Sequence, residues 1–350
     1  IFGVSYNDDS KEKVAHIVKV FKYNVIVQNL APIAEDNYKQ TRITDSVALQ
    51  HMNRILELAL SKEKTTEALT ELFDELGSEV RDADIIRWYG TDANYYYLPE
   101  ALCVPIIKTL LEEKIETEPT EVINRIEELM LKHSDNSMMT AVMDYAVIVA
   151  RLYEKALTLG SLTLNTADEY VMRYESDYCF IDQYYRQTNE TYFGIDPTCE
   201  LFDAVQKVKR GLDQNYSKLC NRINLEWTRC LKETGGMDEV HMLRQYNFYD
   251  EKIKSVQKKV AVIVSDALRY EVAQELIGEL AKSKHIASLK PAIAMLPSET
   301  KYCKPSLLPH RELKLYGKGE VQDMAVDDHI LDTTQKRSEH LQVYRDGAVC

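Results

Sequence analysis

Along the first 250 residues, apolar side chains recur three and four positions apart. Leu69, Leu72, Phe73 and Leu76 fall on one helical face, as do Val122, Ile123, Ile126, Leu129 and Met130. The boundaries carry matching chemistry. Thr166-Ala-Asp-Glu169 has the form of a capping box, in which a hydroxyl and a carboxylate satisfy the free N–H groups of a helix start. Asp196-Pro197 has the form of an N-cap followed by proline at the first helical position. From there Leu201, Val205, Val208, Leu212, Tyr216, Leu219, Ile223, Trp227 and Cys230 predict one long helix to about Thr234. Gly235-Gly236 then supplies residues free to adopt the left-handed conformation that ends helices. Met138–Ala150 is the most apolar stretch, but it is shorter than the ~20 residues of a membrane span and contains Asp144, so it predicts a buried helix.

The pattern changes near residue 257. Val260-Ala-Val-Ile-Val264 is a continuous, mostly β-branched run, the pattern of a strand buried on both faces of a parallel sheet. Ser265-Asp266-Ala-Leu-Arg269-Tyr-Glu271 then opens a helix expected to reach about Ala281. Ile286–Met295 reads as a second strand, Pro297-Ser-Glu-Thr300 as the lead into a short helix, Met324–Val326 as part of a third strand, and Thr333–Leu341 as a further helix. Gly347–Cys350 has the look of another strand beginning. The expected fold is therefore an α-helical N-terminal region, residues 1–256, followed by an incomplete, mainly parallel α/β domain, residues 257–350.

Composition narrows the class. With 45% hydrophobic and 28% charged residues, the chain can build a packed core, and wholesale disorder is excluded. Only 12 Gly and 9 Pro argue against an all-β protein made of many tight turns. The net charge of −13 is concentrated before residue 251, which argues against general DNA binding by the helical region. Seven cysteines, an odd number without a CxxC pair, fit free thiols in a reducing cytosol, so a cytoplasmic location is expected. The chain starts without Met, and the expectation is an excerpt of a longer protein.

Two places carry candidate chemistry. Asp266 follows directly on the predicted buried strand, at the carboxyl end where open α/β sheets bind ligands. Its carboxylate suits a divalent ion, and it equally suits the cap of the next helix. Arg269 could contact phosphate or pair with Glu299 or another carboxylate. Ser298 and Thr300 lie at a predicted helix start, where a hydroxyl is either a cap or, if a metal also binds it, a nucleophile. His310 reads as a helix-end histidine or one near the same site. P-loop, HExxH, GxSxG and GxGxxG patterns are absent.

Four blocks together carry a family resemblance: Tyr246-Asn-Phe248-Tyr249, Lys259-Val-Ala-Val-Ile-Val-Ser-Asp-Ala-Leu-Arg-Tyr-Glu271, Leu296-Pro-Ser-Glu-Thr-Lys301 and Leu307-Leu308-Pro309-His310. Over about residues 246–345 the chain resembles the PglZ domain of the alkaline-phosphatase superfamily, a component of bacterial BREX phage-defence systems. It departs from the family pattern at Glu299 and across Tyr302–Pro305. The resemblance implies a metal-dependent phosphoesterase. It makes Asp266 a metal ligand and Thr300 the nucleophile, with Ser298 the fallback; Arg269 stays a candidate phosphate contact, and Asp327, ending a predicted strand, is a weaker metal candidate. It also implies a two-metal site, with zinc the expected ion, completed by residues beyond Cys350, so that this chain by itself is expected to be inactive. Implied partners are other BREX proteins and a phosphate-ester substrate, nucleic acid among the candidates, with no membrane. The alternative is a non-catalytic helical scaffold of the same defence complex.

Overall fold

The computed structural model describes residues 10–27, 42–90, 97–132, 137–318 and 321–345. Two compact units divide the chain, one of residues 1–159 with 184–220 and one of residues 160–183 with 221–350.

The first unit is helical. Its helices are α1 (Ser10–Val27), α2 (Ser46–Leu60), α3 (Glu63–Glu79), α4 (Asp82–Tyr89), α5 (Glu100–Thr109), α6 (Pro119–Lys132) and α7 (Ser137–Leu157), followed by parts of α9 (Cys179–Gly194) and α10 (Phe202–Thr234). The apolar stripes become the core. Leu69, Phe73 and Leu76 are buried, as are Val122, Ile126 and Leu129, while Leu72, Ile123 and Met130 pack against them half-buried. Val142, Met143, Tyr145, Ala146, Val149 and Ala150 on α7 lose all solvent contact, so the Met138–Ala150 stretch is a core helix. No helix among the described residues is long and apolar enough to cross a membrane.

The second unit begins with α8 (Ala167–Arg173) and includes α10 from Asn221 onward, then α11 (Tyr270–Lys282), α12 (Thr300–Ser306) and α13 (Thr334–Tyr344). The Thr166 hydroxyl accepts from the Glu169 N–H at 3.2 Å, and the Glu169 carboxylate accepts from the Asn165 N–H at 2.9 Å, one residue before the position an ideal capping box uses. The long helix ends as predicted. Gly235 and Gly236 take φ of +107° and +97°, and the Gly236 N–H reaches back to the Leu231 carbonyl at 2.7 Å. Its start differs. Asp196 accepts from the backbone and hydroxyl of Thr198, both at 2.8 Å, which holds a turn, and the helix begins at Phe202.

The sheet departs most from expectation. Among the described residues there is one three-stranded sheet, in the order β1 (Leu313–Lys318), β2 (Val321–Val326), β3 (His329–Ile330), antiparallel throughout. The expected mainly parallel sheet is not formed there. Val260–Val264 lies without a ladder partner, and Ile263 is 91% exposed. Ile286–Met295 contributes a single parallel bridge, Arg244 with Ile293. A β-branched run favours extended backbone, but a strand buried on both faces also needs neighbours and covering helices, which the run itself does not encode. Met324, Ala325 and Val326 are buried in β2 as their pattern predicts, paired with Leu313–Leu315, a segment the sequence pattern did not single out. The helix expected from Ser265 starts at Tyr270, because Ala267 has φ of +56° and Arg269 is extended at the cap. Gly347–Cys350 lies outside the described residues.

Candidate functional site

Asp266 and Thr300 come from segments 34 residues apart and meet in the second unit. The Thr300 Oγ1 lies 3.5 Å from the Asp266 Oδ1. That is longer than the ~2.5–3.0 Å of a normal hydroxyl–carboxylate hydrogen bond, so the two are neighbours without a strong bond. Both are exposed. Lys304, one turn along α12 from Thr300, places its Nζ 3.8 Å from the Asp266 Oδ2. The result is a carboxylate, a hydroxyl and an ammonium gathered at one open place.

Backbone clamps set this geometry. Gln245 donates from Nε2 to the Cys303 carbonyl at 3.1 Å and accepts at Oε1 from the Met295 N–H at 3.0 Å. Its own N–H donates to the Ile293 carbonyl at 3.0 Å, and the Ile293 N–H donates to the Leu243 carbonyl at 2.8 Å. One side chain thus ties the segment leading to Thr300 to the helix that follows it. Upstream of Asp266, Arg345 donates to the carbonyls of Val256 at 2.8 Å and of Ile253 and Lys258 at 3.4 Å, fixing where the extended run begins. Neither Gln245 nor Arg345 was visible as a site residue in the sequence, since their partners are backbone groups of distant segments. Gln245 sits immediately before the Tyr246–Tyr249 block, the one local signal that pointed near it.

The other candidates are placed as follows. Arg269 pairs with Glu271, NH2 to Oε1 at 2.6 Å, and Glu271 is fully buried. Ser298 is exposed in the segment before α12. Asp327 occupies the two-residue turn between β2 and β3, with φ of +49°, beside Asp328 at +66°. Its carboxylate accepts from the N–H groups of Arg311 and Glu312 at 2.8 and 2.9 Å and from the Tyr344 hydroxyl. Partial burial opposes its ionisation, but these hydrogen bonds outweigh it and hold the carboxyl below its ordinary value. Asp327 is therefore engaged by a different set of groups from Asp266. His310 directs Nδ1 to the Leu308 carbonyl at 2.7 Å. Burial raises the Cys303 thiol above its ordinary value, with Gln245 and the Met295 backbone acting in the opposite sense.

The donor chemistry can be tested against a divalent ion. Two oxygens each ~2.0–2.2 Å from one tetrahedral ion lie roughly 3.3–3.6 Å apart. The Thr300–Asp266 separation of 3.5 Å falls within that span. Two oxygens are half of a tetrahedral set, however, and no group of three or more His, Cys, Asp and Glu that could hold a metal occurs among the described residues. The pair is suited to an ion and does not make a site by itself.

Residues 248–349, which contain Asp266, Arg269, Ser298, Thr300 and Asp327, match the model of the BREX system PglZ alkaline phosphatase-like domain. That span is similar to the PglZ family's domain. Over 76 residues, 20% of the chain, it is 43% identical to the alkaline phosphatase-like protein BrxZ of Escherichia coli, covering 9% of that protein. Over 208 residues, 56% of the chain, it is 25% identical to the alkaline phosphatase-like protein PglZ of Bacillus cereus, covering 23% of it. The chain thus spans less than a quarter of the length of either relative. No solved structure matches it significantly. The longer alignment with PglZ extends beyond the PglZ segment, since 208 residues exceed the span 248–349.

Proposed function

We propose that the chain contributes to a metal-dependent phosphoester hydrolase of a BREX phage-defence system, with residues 257–350 as the N-terminal part of its alkaline-phosphatase-like domain. The observation that carries this reading is the approach of Thr300 Oγ1 to Asp266 Oδ1, 3.5 Å, inside the PglZ-matched segment. Thr300 is the nucleophile toward phosphorus, with Ser298 as the fallback. Asp266 is a ligand for a divalent ion, zinc being the expected one, with Asp327 as a weaker ligand. The remaining ligands would come from outside the described residues. When bound, such an ion neutralises phosphate oxygens and lowers the pKa of an adjacent hydroxyl.

The chain's own groups have definite tasks in this scheme. Thr300 presents a solvent-accessible hydroxyl, which a phosphate ester needs in order to reach it. Lys304 adds positive charge 3.8 Å from the Asp266 carboxylate and would attract the anionic substrate. Arg269 must exchange its 2.6 Å contact with Glu271 for a phosphate oxygen if it is to bind substrate. The substrate class is a phosphate ester, nucleic acid included, and the partners are other BREX proteins in the cytoplasm.

A non-catalytic scaffold is the second reading, favoured by the large helical unit built around a single continuous core. Metal analysis separates the two. Protein expressed from the complete reading frame should purify with, or take up, divalent ion, and Asp266→Asn should lower its affinity roughly tenfold or more. Absence of metal uptake in the parent, or an unchanged affinity in the variant, favours the scaffold.

A further inference from the structure

The second unit contains a pocket of about 300 Å³ that lies outside the Asp266–Thr300 site. Tyr170, Tyr174, Tyr178, Trp227 and Tyr270 line it together with Glu175. The rings do not lie flat on one another. Tyr170 meets Trp227 at 67° with centroids 5.4 Å apart, and Tyr174 meets Tyr270 at 68° and 6.2 Å. Near-perpendicular rings form corners, an arrangement that presents several π systems to one partly open volume.

These walls are held in place. The Tyr170 hydroxyl donates to the Leu162 carbonyl at 3.0 Å and accepts from the Leu164 N–H at 3.1 Å. The Tyr174 hydroxyl donates to Asp182 at 2.8 Å. With those hydroxyls committed, the Tyr170 and Tyr174 rings are restrained, so a ligand would lose less affinity to ordering these two walls.

The charge of the pocket selects its ligand. Its lining contains no Lys, Arg or His, and its one carboxylate is Glu175. Burial, and then the Glu175 charge, raise the Tyr270 phenol above its ordinary value, so the carboxylate acts at the pocket wall. Phosphates and nucleotides are disfavoured there. A cation gains twice, from the ring faces and from the carboxylate. A small inorganic ion would waste the apolar walls, whereas an alkylated ammonium head uses them.

We propose that this pocket binds a small alkylammonium cation, with Trp227 and the tyrosine rings around the alkylated head and Glu175 as counter-charge. The proposal is independent of the phosphoesterase reading. Titration calorimetry on the full chain tests it with choline and with its uncharged isostere, in which a quaternary carbon replaces the nitrogen. Choline should bind at least about tenfold more tightly than the isostere. Equal affinities, or no choline binding up to ~10 mM, overturn the proposal. Glu175→Gln should weaken choline about tenfold while leaving thermal unfolding and isostere binding unchanged. Unchanged choline affinity in that variant also overturns it. A blocked trimethyl-lysine distinguishes the source. Tighter binding of that probe assigns the cation to a peptide side chain, and tighter binding of choline assigns it to a free small molecule, both within the proposed chemistry.

Discussion

Gln245 and Cys303 are joined across 58 residues by a 3.1 Å hydrogen bond from the glutamine Nε2 to the cysteine carbonyl. The same amide accepts from Met295, so it closes the loop that carries Ser298 and Thr300. Replacing Gln245 by Ala removes both bonds and leaves half-buried backbone groups without their protein partner. The expected cost is about 1–3 kcal/mol. Hydrogen exchange would register it as lost protection at the Met295 amide, and unchanged exchange there would show that the clamp is dispensable.

Cys303 gives a second readout of the same loop. Burial holds its thiol above the ordinary value, so the protonated form dominates at neutral pH and alkylation should be slow. Peptide mapping after iodoacetamide treatment should show its modification rate still rising with pH beyond ~8.5, where an ordinary thiol is half ionised. Gln245 acts to lower this thiol's pKa, so Gln245→Ala should move the profile further toward alkaline pH. A rate that levels off below that pH would contradict this assignment.

Asp327 should behave as the anchor of the β2–β3 turn. Its folded pKa lies below the ordinary carboxyl value, so its contribution to stability is present above the unfolded pKa and is lost as pH falls through the folded one. Thermal stability of the parent should decline below about pH 4. Asp327→Ala, which removes three accepted hydrogen bonds, should be destabilised by roughly 1–3 kcal/mol at neutral pH and show less of that acid dependence. Asn should be tolerated better, because it accepts a positive φ and keeps a carbonyl acceptor.

The helical core makes a simpler prediction. Leu102 is completely buried in the first unit. Leu102→Ala should cost about 2–5 kcal/mol through lost contacts and the cavity left behind. Chemical denaturation of the first unit would measure it, and a change under ~1 kcal/mol would mean that the core there collapses readily around the gap.

What could be read from the sequence was what local patterns encode. The stripe Leu69–Leu76, the Thr166 capping pair, the Gly235-Gly236 stop and the buried Met138–Ala150 helix depend on neighbours within a few residues. Strand pairing does not. Val260–Val264 announces an extended chain and says nothing about a partner, whereas the Leu313–Val326 ladder joins two short segments of mixed polarity. The Asp266 and Thr300 positions were legible one at a time, each with a capping role as its rival. Their 3.5 Å approach is a property of the fold, as are the Gln245 and Arg345 clamps, whose partners are carbonyl and amide groups with no side-chain signature.

The most direct test concerns Thr300. Protein from the complete reading frame, supplied with divalent ion, should hydrolyse a generic phosphodiester such as bis(p-nitrophenyl) phosphate. In Thr300→Ala, with the fold checked by circular dichroism, the rate should fall at least about a hundredfold. Retained hydrolysis in that variant would contradict the nucleophile assignment and shift attention to Ser298.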